Sequence, residues 1–267
     1  MLDGLHRPVD VFFRDDDAGW GSDRLWPLLD LFAEHALPAD LAVIPTELTE
    51  SLAHGLHARA GCSPGALRFH QHGFAHVNHE PVGRKHEFGP SRPMPLQQRD
   101  IAEGRRRLTD LLGPSIEPIF TPPWNRCTQE TGQCLTELGF AVLSREARAA
   151  PLAVPGLVEL PINIDWFAHH KQVRLSRAEF GDLVAATIRE ERPVGVMFHH
   201  AVMDADERAA AGAFLALVAH HPMASPTPMR ALAGAAPAAR SAPAGPTATT
   251  PAPGTGADAV ERTGWTR

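Results

Sequence analysis

At 267 residues the chain exceeds an average domain yet lies within the range of one α/β barrel, so length alone does not require two domains. Hydrophobic residues make up 43%, enough for a real core, and a formal charge of −6 with acids spread along the chain gives no electrostatic case for nucleic-acid or membrane-surface binding. The cysteines Cys62, Cys127 and Cys134 match no zinc or redox spacing and point to reduced thiols in a cytosolic setting.

The start, MLDGLHRPVD, has no basic segment followed by an apolar run and no cleavage site. Nothing later approaches the roughly 18 consecutive apolar residues of a membrane span. The expected address is the cytoplasm, without membrane insertion. VDVFFR reads as a first strand, and the stretch after it places Leu25, Leu28, Leu29 and Phe32 on one helical face. DLAVIP and ALRFHQ read as the second and third strands, with a helix over residues 47 to 59 between them. A long loop precedes a helix from Leu96 to Leu112. IEPIFTP, FAVLS, LVELPINI and PVGVMFH continue the series, with one helix between the first two and another before the last. That later helix opens with Ser176 three residues before Glu179, a capping-box spacing, and carries Phe180, Leu183, Val184 and Ile188 on one face. Asp204 and Glu207 repeat the signal before the last helix.

From residue 233 the text turns to AGAAPAARSAPAGPTATT, which has too little apolar surface to offset the entropy of ordering. The expected organisation is a domain over residues 1–232 and a disordered Ala/Pro/Thr-rich tail over 233–267. Alternating strands and helices predict a mainly parallel α/β sheet, closed or nearly closed into a barrel, with a doubly wound open sheet as the other arrangement the pattern allows.

Polar clusters fall where strands end. RDDDAG follows the first strand, HQHGFAHVNH closes the third, TPPWNR the fourth, NIDW the LVELPI strand and HHAVMD the last. In an α/β barrel the carboxyl ends of the strands share one mouth, so these clusters converge there. His72 and His76 form an H-x-x-x-H pair, one turn apart if the chain becomes helical after the strand. Two neutral imidazoles and one carboxylate suit a zinc-like divalent ion that keeps a position open for water. Such an ion would compensate the adjacent carboxylates, one serving as ligand while its neighbour stays free to accept a proton.

In this order the motifs resemble the polysaccharide deacetylase superfamily, the carbohydrate esterase family 4-like group, in a cytosolic bacterial-type form. The segments that carry the resemblance are Asp16-Asp17, His72-Gly73-Phe74-Ala75-His76, Thr121-Pro122-Pro123-Trp124-Asn125, Asp165-Trp166 and Met197-Phe198-His199. The resemblance implies an irregular (β/α) barrel of about seven parallel strands, with a metal site at their carboxyl ends. It implies Asp17, His72 and His76 as ligands of a divalent ion, Zn²⁺ first, with Asp16 as general base and His199 as general acid. Asp165 would orient His199. The Trp124 backbone N–H would help hold an oxyanion, and Trp124, Asn125, Trp166 and Arg126 would line the substrate site. The implied reaction removes an N-acetyl group, or as the alternative an O-acetyl group, from a sugar or glycoconjugate.

The chain departs from that pattern in three places. The triple Asp leaves Asp15-Asp16 as an alternative pair. Thr121 stands where the family has Arg, so Arg14 or Arg126 would have to supply the charge. His200 beside His199 leaves the acid ambiguous by one residue. In the loop HEPVGRKHEFGPSR, Lys85, Glu87 and Arg92 are candidate substrate contacts, and His70 and His79 are candidate supporting or surface residues. Two other readings remain: an amidohydrolase-type site built on His70-Gln71-His72, and a carbohydrate-binding relative without turnover. Neither the substrate nor the oligomeric state is fixed by the sequence.

Overall fold

The computed structural model describes residues 6–62, 65–170, 173–190 and 192–235. In chain order its elements are β1 (Val9–Ala18), α1 (Ser22–Glu34), β2 (Ala39–Val43), α2 (Glu50–Cys62), β3 (Leu67–His72), α3 (Met94–Leu112), β4 (Ile116–Thr121), α4 (Gln129–Glu137) and β5 (Val142–Leu143). They continue with β6 (Val158–Glu159), β7 (Ile164–Asp165), β8 (His169–His170), β9 (Val173–Arg174), α5 (Arg177–Ile188), β10 (Val194–Phe198), α6 (Ala205–His220), β11 (Ala224–Pro226) and α7 (Met229–Ala235). The chain divides into a unit of residues 1–236 and a second of residues 237–267. The tail expected over 233–267 lies outside the described residues from 236 onward, and α7 takes in 233–235.

The strands pair in the order β6-β5-β4-β3-β2-β1-β10-β7, with β11 also on β1, and β8 and β9 form a separate ribbon. All pairings in the large sheet are parallel, as the alternation of strands and helices predicts. LVELPINI, expected as one strand, is two, because it changes partner. Its first half bonds toward β5 (Leu160 N–H to Leu143 O, 2.9 Å), and Asn163 N–H then turns to Gly195 O of β10 (3.0 Å). This one segment therefore joins the two ends of the sheet, which curls into an irregular (β/α) barrel.

Residues two apart on a strand share a face, and the inward faces stack in layers. Phe12, Ile119, Val142 and Met197 pack with Met229 and Leu232 of α7 as an apolar layer. Two residues on, Arg14 and Ser144 meet each other and His70 meets Thr121, which makes the next layer polar. Asp16, His72 and His199 follow at the mouth. Outside the barrel, α1 buries Leu25, Leu28, Leu29 and Phe32, as its spacing requires. Ser176 and Glu179 form the expected capping box on α5. At α6 only half of the expected box forms: Asp204 caps Glu207 N–H, but the Glu207 carboxylate accepts from Trp166 Nε1 at 2.7 Å instead of turning back.

One buried group sets a pH dependence. Burial pushes the Asp40 carboxyl up to about 7, against one hydrogen bond from Met229 N–H. Its folded-state pKa lies above the unfolded value, so folded protein binds the extra proton between pH 3.8 and about 7 and loses stability as pH rises through that window. Relative to wild type, Asp40→Asn is expected to gain roughly 2–4 kcal/mol more at pH 8 than at pH 4. Paired denaturation curves across that range test this, and parallel curves would refute it.

Candidate active site

The three carboxylates of RDDDAG are in the strand, not beyond it, since β1 runs to Ala18. Strict alternation would turn Asp17 away from Asp16. It does not, because Asp17 has φ 66 and the β1–β2 register shifts between Asp15 and Ala18. A bulge of this kind re-aims a side chain, and here it presents neighbouring carboxylates to the same mouth.

Each Asp has its own partner. Asp15 holds the buried His200, whose Nδ1 lies 2.6 Å from Asp15 Oδ2 while its Nε2 meets Trp20 O at 2.7 Å. Burial disfavours the charged imidazole, but the Asp15 carboxylate outweighs it and lifts His200 to about 8. Asp16 is gripped through both oxygens by Arg14, Nε to Oδ1 at 2.8 Å and Nη2 to Oδ2 at 2.9 Å. Burial raises the Asp16 pKa, yet Arg14 and then His72 and His199 overcome it and hold the carboxyl below its usual range. Asp17 Oδ1 lies 3.1 Å from His72 Nε2 and 3.2 Å from His76 Nε2, and these contacts outweigh burial to keep it strongly acidic.

His72 ends β3, and its Nδ1 meets Thr121 O at 3.0 Å. A carbonyl only accepts, so Nδ1 carries a proton there, and Nε2 is the atom left to meet Asp17 or, with an ion bound, to serve as its ligand. The expected helical turn after β3 is absent. His76 instead reaches the site through a loop with φ 56 at Gly73 and φ 55 at His76. The buried Glu87 carboxylate clamps that loop, accepting Phe74 N–H at 3.1 Å and Ala75 N–H at 2.6 Å. The His76 ring then sits between two indoles, 4.7 Å from Trp20 and 4.6 Å from Trp124. One donor atom each from Asp17, His72 and His76 falls within 4.8 Å of the others, a donor set suited to a zinc-like ion.

Gly73 is required by this geometry. A Cβ there would come 2.6 Å from Pro123 Cδ and collide with the Glu87 carboxylate. Gly73→Ala is expected to cost about 1–3 kcal/mol and to lower bound metal, both read from thermal melts with and without added ion. An unchanged melting curve would contradict it.

The remaining candidates divide. His199 is half-buried and directly follows Phe198, which pairs with Asp15 across β10 and β1. His200 is fully committed to Asp15 and Trp20. Trp124 has φ 55, and its backbone N–H has no acceptor among the described residues. Asn125 Oδ1 accepts from Arg14 Nη2 at 2.8 Å, so it braces the guanidinium. Asp165 caps its own turn at Phe167 N–H, 2.9 Å, and no bond from it to His199 occurs among the described residues. Trp166 does not wall the site: it is buried against Phe180, Phe198 and Phe214, with its N–H spent on Glu207. Arg126 reaches Lys85 O at 3.4 Å and does not touch Asp16; the cation that Thr121 does not supply comes from Arg14.

In the long loop, Glu87 is a backbone clamp, Arg92 pairs with Asp100, and Lys85 lies over Trp124, its Nζ 5.8 Å from the ring centre. His70 is buried on Thr121 Oγ1 at 2.9 Å and pushed down to about 3, first by burial and then by Arg14. It stands outside the Asp17, His72 and His76 cluster, contrary to an H-x-H site built on His70. His79 is an exposed loop residue. Trp20 escaped the sequence reading because nothing in its spacing marks it.

No family model and no curated protein matches the chain. Solved structures do. One assigned to the polysaccharide deacetylases, from Mycobacterium smegmatis, is 15% identical at a TM-score of 0.65, over 85% of this chain and 90% of that one. Another so assigned, from Pseudomonas aeruginosa PAO1, gives 13% and 0.65 over 84% and 89%. The PuuE allantoinase gives 13% and 0.62 over 87% and 92%. At these identities the likeness is one of fold, and the chain has the fold of the polysaccharide deacetylase superfamily that its motifs resemble.

Proposed function

We propose that the chain is a metal-dependent hydrolase that removes an N-acetyl group from a sugar or glycoconjugate, with O-acetyl removal as the alternative. The observation that carries this is the separation of roles within one carboxylate run: Asp17 meets both imidazoles, while Asp16 is held apart from them by Arg14. Asp17, His72 and His76 would hold the ion, Zn²⁺ first. When bound, such an ion supplies Lewis acidity toward the acetyl carbonyl and a more acidic water.

Asp16, ionised throughout the neutral range, accepts the water proton. His199, on the inward face of the same mouth, gives a proton to the departing nitrogen, and the Trp124 N–H donates to the oxygen that gains charge. The Asn125 amide and the Arg14 guanidinium keep Asp16 aimed. The Arg14–Asp16 pair also fills the role whose absence at Thr121 favours a non-catalytic relative. The allantoinase shares the fold, which supports a second reading in which the acyl–nitrogen bond belongs to a non-sugar amide.

Metal analysis of purified protein, with acetate release measured over N-acetylated sugars and simple amides, tests both readings. His199→Ala is expected to lower turnover about 10²–10⁴-fold at unchanged metal content. Absence of bound metal together with absence of acetate release would end the proposal.

A further inference from the structure

The two imidazoles of the site are held by different means. His72 donates through Nδ1 to Thr121 O, the kind of bond that fixes the ring of a metal-binding histidine. His76 stands on a loop at φ 55, and its Nδ1 has no hydrogen-bond partner among the described residues. The indoles of Trp20 and Trp124 take the place of that bond, with ring centres 4.7 and 4.6 Å from the His76 ring.

Trp20 needs an anchor of its own. It is 37% exposed and stands between Gly19 (φ 131) and Gly21 (φ 55), so the backbone on both sides has the freedom of glycine. The anchor is its carbonyl, which accepts from His200 Nε2 at 2.7 Å. On the other side of the same ring Nδ1 lies 2.6 Å from Asp15 Oδ2, and Asp15 Oδ1 accepts the His200 backbone N–H at 3.0 Å. A carbonyl and a carboxylate both accept, so His200 donates from both nitrogens and Asp15 balances its charge. Two further ties join the same segments: Arg24 Nη1 donates to Ala201 O at 2.7 Å, and a Cβ on Gly21 would come 3.1 Å from that of Ala201. Asp15 and His200 are buried, and every polar atom of their side chains is spent within this chain of bonds. Nothing of the pair is left for a substrate or an ion, so its effect on the site passes through Trp20.

We propose that Asp15 and His200 are positioning residues that act through Trp20: they hold its indole on His76 and so keep the His76 imidazole facing Asp17. The bearing of this on an ion rests on the reading of Asp17, His72 and His76 as ligands. The positioning itself is read in protein without added metal.

The test compares the full chain with Trp20→Leu, His200→Asn and His200→Gln by NMR of the imidazole protons, with His76 assigned by the signal lost in His76→Asn. The His76 resonances are expected to move in Trp20→Leu, an exposed position where the fold tolerates the change. They are expected to move in the same direction in His200→Asn, whose amide N–H replaces Nδ1 and keeps Asp15 partnered while nothing reaches Trp20 O. His200→Gln, whose amide reaches the place of Nε2, is expected to leave them near the wild-type position. Zn²⁺ affinity, measured by competition with a chelator, is expected to fall about tenfold in Trp20→Leu and in His200→Asn, and no further in the double variant. Unmoved His76 resonances in Trp20→Leu, equal effects of His200→Asn and His200→Gln, or affinity losses that add in the double variant would overturn the proposal. Failure of both His200 variants to fold would assign the pair to the fold alone and also overturn it. The expected resonance shifts in a chain that binds no Zn²⁺ would uphold the positioning and refute the metal-dependent reading of the site.

Discussion

Replacing Arg14 with Met is expected to destabilise the protein by about 3–5 kcal/mol, the usual cost of removing one partner from a buried ion pair. Arg14 is fully buried at the second inward layer of β1. Its guanidinium grips both oxygens of Asp16, donates to the Ser144 carbonyl (3.1 Å) and hydroxyl (2.8 Å), and meets Asn125 Oδ1 and Met197 Sδ. Met matches the stem in length but leaves an uncompensated carboxylate behind it. Denaturant titration reads the loss directly. The double variant Arg14→Met, Asp16→Asn removes both charges and is expected to recover at least half of it, because the larger part of the cost is the orphaned charge and not the missing contact. Arg14→Lys keeps the charge but cannot meet two carboxylate oxygens in one plane, so it falls between the two. If Arg14→Met folds with wild-type stability, Asp16 has another cation and the layered description of the barrel is wrong.

The same layering explains which parts of the molecule were legible in the sequence. Strand positions and the clustering of polar residues at one mouth follow from a period of two and from the direction of parallel strands, both local rules. The clusters that hold Asp16, Asp17, His72 and His76 were located that way, whereas the choice of Asp16-Asp17 within the triple Asp and the role of each residue came from the resemblance. The shape that brings His76 in was not: a helical turn is what H-x-x-x-H suggests, whereas the chain uses left-handed backbone at Gly73 and His76 held by Glu87, 11 residues beyond His76, and no spacing rule announces such a clamp.

Trp166 shows the opposite failure. An aromatic beside an acid at a strand end reads as a site residue, yet the buried Glu207 accepts its N–H and three phenylalanines enclose it. Burial of that kind is decided by α5, β10 and α6, each of which brings one ring against the indole. LVELPINI was read as one strand because it is continuously apolar; its change of partner depends on where the sheet closes, which is a property of the whole barrel. His200 is held on the Asp15 side, and strand alternation sends its neighbour His199 to the other face, which supports His199 as the acid of the proposed reaction.

Asp16→Asn and Asp17→Asn are expected to separate chemistry from metal binding at adjacent positions. The Asp16 carboxylate touches neither imidazole; both its oxygens face Arg14. Its amide replacement keeps the shape and one acceptor but cannot take a proton, so acetate release should fall about 10²–10⁴-fold, as for loss of a general base, with metal content held at the wild-type level. Asp17 Oδ1 is the single atom that meets both His72 Nε2 and His76 Nε2. Exchanging its charge for a neutral amide removes the only anionic donor of the cluster, so metal content and activity should fall together, and added ion should restore part of both. Because Asp17 is held at φ 66, where Asn is among the few side chains tolerated, Asp17→Asn keeps the bulge and isolates the charge. Metal analysis of the two variants beside wild type decides between the roles. Equal metal loss in both would place Asp16 in the ligand set and leave the reaction without the base assigned to it.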